Sequence, residues 1–355
     1  MKNRLKQVET QQFKDQMNSW VNVFVLQSLL FICTSILLAG CNGTLPSQNT
    51  IDQSDTVPIS SLMFQAFQIM QEGLADADPQ VRANTIEVVA ATKQIRLMPK
   101  IQRLLNDESV PVKFSAILAV GDLQYTLAKS KVQRLLKDEN ENVRIAAAYA
   151  MTKFGHPEYL TVFSDAIASE DQTVRANAAL LLGKSGHKNA LELLYWALQR
   201  KDSSDKVRFN AVEAIAMLGD EKILPKLWAM VYSGYADDRV VGIRAMGALG
   251  TSQAKEVLIT KLDDDILEVR LAAAQQLGKF GETTAEPEVL EVFTKNLTAD
   301  FDKKDLERIK VLTALAIGQI RTDSLKRFLP QLLKDQSKFV RIAAAKAVFQ
   351  YVMRK

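Results

Sequence analysis

An aliphatic residue followed by a basic one recurs along this chain at a nearly fixed interval, and that period restricts the possible folds more than any other feature. Val81-Arg82, Val143-Arg144, Val174-Arg175, Val207-Arg208, Val269-Arg270 and Val340-Arg341 share one context. Val112-Lys113, Val241-Gly242 and Ile309-Lys310 are weaker copies of it. The nine marks are separated by 31, 31, 31, 33, 34, 28, 40 and 31 residues. A near-constant period is what a stacked array leaves in a sequence, because each unit packs only on its neighbours.

Within a unit the pattern is helical. With the aliphatic mark as position 0, position +4 is always Thr or Ala (Thr85, Ala147, Ala211, Ala344) and position +8 always aliphatic (Val89, Met151, Ile215, Val348). Offsets 0, 4 and 8 form one stripe of an α-helix. A small residue at the centre of the stripe lets a neighbouring helix come close. Glycine often follows (Gly121, Gly183, Gly250, Gly278, Gly318), as expected where a helix ends. An acidic turn precedes each mark (Asp76, Asp138, Asp202, Asp264, Asp335), and another amphipathic helix precedes the turn. Such an Asp can cap the second helix, and the basic residue can reach the Asp of an adjacent unit. Asn84, Asn177 and Asn210, at position +3, are placed to satisfy backbone groups between units.

The run Asp-x-x-x-x-Val-Arg-x-x-Ala-Ala-x-Ala-Leu-Gly resembles the HEAT repeat, in its short bacterial form, over roughly residues 60–351. The resemblance implies an all-α superhelical solenoid of about nine helical hairpins. Gly242 and Lys310 depart from the pattern, and the long 269–309 interval points to an insertion around Gly281 to Asp302.

The amino terminus is different. Residues 1–19 are polar and hold Lys2, Arg4, Lys6 and Lys14, and Val21 to Leu38 form an apolar run. The run ends in Leu38-Ala39-Gly40-Cys41, followed by a polar stretch rich in Asn, Ser and Gln. A positive flank, an apolar segment and a small-residue exit make an export signal. Its last four residues resemble the lipobox of bacterial lipoproteins, which implies cleavage before Cys41 and acyl chains on it. Each buried CH₂ contributes ~0.8 kcal/mol, so several chains make a stable anchor. The organisation expected is a signal peptide at 1–40, a flexible tether at 41–57 and the solenoid at 58–355. An uncleaved membrane helix at 21–38 is the alternative. Asn42 favours the outer over the inner membrane, on the periplasmic face.

Composition narrows the function. From Cys41 onward 41 basic residues face 39 acidic ones, which is not the one-sided field that binds nucleic acid. No cysteine follows Cys41, so the solenoid has no thiolate cage or thiol nucleophile. His156 and His187, 31 residues apart, read as turn residues rather than metal ligands. Trp196 and Trp228 read as packing aromatics. No catalytic constellation, metal site, cofactor site or small-molecule substrate is expected.

In HEAT-like arrays the second helices line the concave face, and position +6 should point into it. There Leu118, Tyr149 and Leu180 are consecutive apolar residues flanked by Glu87 and Glu213. Over three stacked helices they would span roughly 20–30 Å, a candidate strip for a protein partner unless inter-repeat packing buries it. The reading is a non-catalytic, lipid-anchored scaffold that binds another envelope protein. An enzyme related to bilin lyases, to which the array bears a general likeness, and a passive spacer are the alternatives.

Overall fold

The computed structural model describes residues 57–295, 297 and 301–353. The expected signal peptide, Cys41 and the tether up to residue 56 lie outside the described residues. Among the described residues no strand forms, the helices pair into nine units, and no helix is long and apolar enough to cross a membrane. The protein is an all-α solenoid.

The first helices of the units lie outside and the second helices inside. In chain order the pairs are α1 (Ile59–Gly73) with α2 (Pro79–Ala91), α3 (Met98–Leu104) with α4 (Val110–Asp122), and α5 (Lys129–Leu135) with α6 (Glu141–Lys153). Next come α7 (Val162–Ala166) with α8 (Gln172–Ser185), α9 (Leu191–Gln199) with α10 (Asp205–Met217), and α11 (Leu224–Val231) with α12 (Ala236–Leu249). The last three are α13 (Ser252–Thr260) with α14 (Leu267–Lys279), α15 (Glu286–Thr294) with α16 (Lys303–Ile320), and the short α17 (Asp323–Lys326) and α18 (Leu329–Leu332) with α19 (Lys338–Val352).

The 0, +4, +8 stripe is the core. Val143, Ala147 and Met151 are all buried, and so are their counterparts along the array. Burying one Val, Leu or Met side chain contributes about 1.5–3 kcal/mol, so each unit is held chiefly by this stripe and by its outer helix. The inner helices begin where the sequence supplies caps. Asp78, Asn140, Asp171, Ser204 and Ser337 each accept a hydrogen bond from a first-turn N–H. Most end on a residue with positive φ twelve positions after the mark: Gly155, Gly186, Gly219 and Gly281, but Lys93, Gln124 and Arg321 in three units.

The recurring glycine at position +9 has a different task from the one expected. Gly250 does end its helix, at φ 76°. Gly121, Gly183, Gly278 and Gly318 instead lie inside their helices. A Cβ on Gly183 would sit 2.6 Å from the Cα of Ala214 on the next inner helix, and one on Gly318 2.7 Å from the Cα of Ala347. These glycines set how closely the inner helices pack.

The acidic turns do two things at once. Asp107 accepts from the Ser109 N–H at 2.9 Å and pairs with Arg82 of the preceding unit at 2.8 Å. Lys113–Asp138 (3.2 Å), Arg239–Asp264 (2.9 Å) and Lys310–Asp335 (2.8 Å) repeat the link. Asn177 donates to Asn142 at 2.8 Å and Asn210 to the Ala176 carbonyl at 2.9 Å, as expected of residues between units. Asn84 departs from this: it is buried, and neither amide atom has a hydrogen-bond partner. The extra residues of the long interval fall in the connection between α15 and α16 and in the early turns of α16, the longest inner helix.

The array does not end openly. The last inner helix, α19, packs against both α1 and α2 of the first unit. Lys338 reaches Asp76, the turn carboxylate of unit 1, at 2.7 Å. That is the acceptor position of Asp107, Asp138, Asp264 and Asp335 in their links, and Lys338 lies three residues before Arg341, which points back to its own turn carbonyls. The nine units therefore close into a ring.

Candidate functional site

Closure turns the concave face into the wall of one central cavity of about 570 Å³, to which inner helices of all nine units contribute. Exposed lining residues occur at both ends of these helices: Pro111 and Thr173 at the amino ends, Ala91, Met217 and Ala248 near the carboxyl ends. The cavity thus reaches solvent on both faces of the ring.

The expected strip is only partly displayed. Leu118 and Leu180 line the cavity, as do Glu87 and Glu213. Tyr149 does not serve as an exposed aromatic centre; it is 1% exposed. Its hydroxyl donates to Asp122 Oδ1 in a short hydrogen bond, and Lys184 holds the other oxygen of Asp122 at 3.0 Å. Asp122 belongs to unit 2 and Lys184 to unit 4, so Tyr149 of unit 3 sits beneath an ion pair that spans it. Burial and the Asp122 carboxylate push the Tyr149 hydroxyl pKa up, so it stays a donor. The reason for the burial is inter-repeat packing, which at this unit covers position +6.

Sequence reasoning missed much of the lining. Arg244 at position +3, and Asp122, Lys184, Met217 and Lys279 at position +10, share the inner face with position +6. A stripe at +3, +6 and +10 in the original register would have gathered them. Arg244 pairs with Glu213 at 3.1 Å, and Lys279 donates to Gln276 at 2.7 Å. Among the described residues no carboxylate lies within 4.0 Å of the Lys206, Lys279 or Lys346 ammonium groups.

Burial governs the charges here. It pushes the Glu87 carboxyl up to about 8, with Lys346, Lys184 and Arg244 opposing. It also pulls Lys279 down to about 8, helped by the neighbouring Arg244 and Lys346 cations. Lys346 is lowered by burial and partly restored by Glu87. Glu213 is raised by burial against Arg244 and Lys279.

Elsewhere the candidate residues are structural. His156 contacts Glu158 at 3.1 Å beside its turn. Among the described residues no three His, Cys, Asp or Glu side chains are grouped to hold a metal. Trp228 stacks on Tyr232, while Trp196 is 42% exposed under Arg200 and so packs less than expected.

HEAT repeats match three overlapping segments, residues 101–175, 160–241 and 232–313, which together cover more than half the chain. The chain belongs to the HEAT-repeat family. Solved structures similar to this HEAT-repeat protein include a chain of the complex of CpcE and CpcF of phycocyanin lyase from Nostoc sp. PCC7120 (17% identity, 70% of this chain and 93% of that one, TM-score 0.40). Human deoxyhypusine hydroxylase is similar at 16% identity over 75% of this chain and 99% of that one, with TM-score 0.38. YibA of E. coli is similar at 17% identity over 83% and 98%, with TM-score 0.35. No curated protein matches the sequence significantly.

Proposed function

We propose that this HEAT-repeat protein is a non-catalytic scaffold of the bacterial cell envelope, tethered to the membrane by lipid on Cys41, and that it holds a protein partner at the mouth of its ring. The observation that carries this reading is the assignment of side chains. The recurring Asp and Arg residues are committed to links between units or to the carbonyls of their own turns, while the variable inner positions of all nine units converge on one central cavity. Two cavity carboxylates, Asp122 and Glu213, are already engaged by Lys184 and Arg244, which suits binding better than proton transfer. The export signal and the small-residue exit before Cys41 support the tether and the periplasmic side of a membrane; Asn42 favours the outer one.

The test is a photocrosslinking residue placed at Met217, on the rim, and in a second strain at Leu127, on the outer surface and 74% exposed. A discrete adduct from the Met217 position and none from Leu127 is expected in native envelopes. Equal labelling, or none, would remove the partner reading and leave a passive spacer, for which a closed ring is also suited. Labelled palmitate should enter the protein and be lost on Cys41→Ser.

A further inference from the structure

The central cavity is polarised in a way that partner docking at the rim does not require. On one side lie apolar side chains of units 2 and 4, Phe114 and Leu118 on α4 and Leu180 on α8, together with the Asp122–Lys184 ion pair, which is satisfied within itself. Across the ring, units 6, 7 and 9 bring together Arg244, Lys279 and Lys346. Only one of these three cations, Arg244, has a carboxylate at ion-pair distance, and that carboxylate, Glu213, is shared with no other cation at such distance. Like charges gathered in a partly buried site repel one another and lose hydration, which draws Lys279 and Lys346 towards their neutral forms and which a bound anion would relieve. Of the other cavity carboxylates, Asp122 is engaged by Lys184, and Glu87 has its pKa pushed up by burial, which lessens the compensation it can offer.

We propose that the cavity binds a small organic anion with an apolar body, its acidic group received by Arg244, Lys279 and Lys346 and its body laid against Phe114, Leu118 and Leu180. The volume, about 570 Å³, falls in the range of small-ligand sites, which run from roughly 300 to 1,000 Å³. A cavity ringed by inner helices suits a compact ligand better than a folded domain. Gln275, Gln276 and Gln319, also on the cationic side, supply neutral donors beside the charged ones. The site is independent of any partner held at the rim, and of the lipid on Cys41.

The test uses the mature chain, purified, with decanoate as the probe below its micelle concentration. Calorimetric titration should show saturable binding at one site per chain. Decanol, which lacks the charge, and acetate, which lacks the body, should each bind at least tenfold more weakly. Lys346→Gln and Lys279→Gln should each weaken decanoate at least tenfold while the circular dichroism and melting temperature stay native or rise. Lys131→Gln, on the outer helix α5, should change nothing. Equal affinity for decanol, many sites per chain, or full affinity in the folded Lys346→Gln protein would overturn the proposal. So would tighter binding of an acidic peptide such as Ac-Leu-Leu-Asp than of decanoate, which would assign the cavity to a protein segment.

Discussion

Gly183 shows how single residues set the spacing of this ring. Its missing Cβ would lie 2.6 Å from both Cα and Cβ of Ala214, so any side chain there must push two inner helices apart. Gly183→Ala is expected to destabilise the protein by about 1–3 kcal/mol, the usual range for overpacking, and Ala214→Gly should restore only part of it because the backbone is also in the way. Chemical denaturation of the single and double variants measures this. The sequence shows this glycine clearly but not its task. A glycine near the end of a helical stripe reads as a stop, and only Gly250 among the five proves to be one; the true left-handed stop falls three residues later in most units. Tyr149 was misleading for a similar reason. Position +6 lines the cavity in six of the nine units, but whether it stays open depends on the neighbour, and at Tyr149 Asp122 and Lys184 close over it.

At the level of elements, the seam between α1 and α19 is where the ring is made or lost. Leu62, Ala66 and Met70 lie on one face of α1 and are buried, whereas Phe64 on another face is 64% exposed. Met70→Asp is expected to open the seam while leaving the inner array helical: the radius of gyration from small-angle scattering should rise with little loss of helical circular dichroism. Phe64→Asp should leave both unchanged. A globally unfolded Met70→Asp protein would show that closure and folding are one event. The units themselves were legible, since the 0, +4, +8 stripe and the turn Asp are local patterns. The closure was not. It follows from a small rotation between neighbours accumulating over nine steps, and no residue records that sum. Lys338, which makes the closing link, stands two residues before its mark, as Arg239 does, rather than one residue after it as Arg82, Lys113 and Lys310 do.

The molecule as a whole should carry a pH signature of its centre. Folding raises the Glu87 carboxyl from its ordinary value of 4.5 to about 8, so in that interval the folded chain holds a proton that the unfolded chain has released. Stability therefore falls as pH rises through this window. Lys279 acts above it: the folded chain loses this proton at about 8 and the unfolded chain only near 10.5, so stability recovers as pH climbs further. Thermal melts should show a loss of a few degrees between about pH 5.5 and 8, and Glu87→Gln should flatten that slope. The closed seam has one more consequence. A linear array has outermost units that fray first, and it needs special capping units to end on. Here the first and last units pack on each other, and among the described residues no unit is outermost. The chain's starting point is thus a matter of genetics rather than of mechanics: joined at the seam and cut at another loop, the same nine units would still find the same circle.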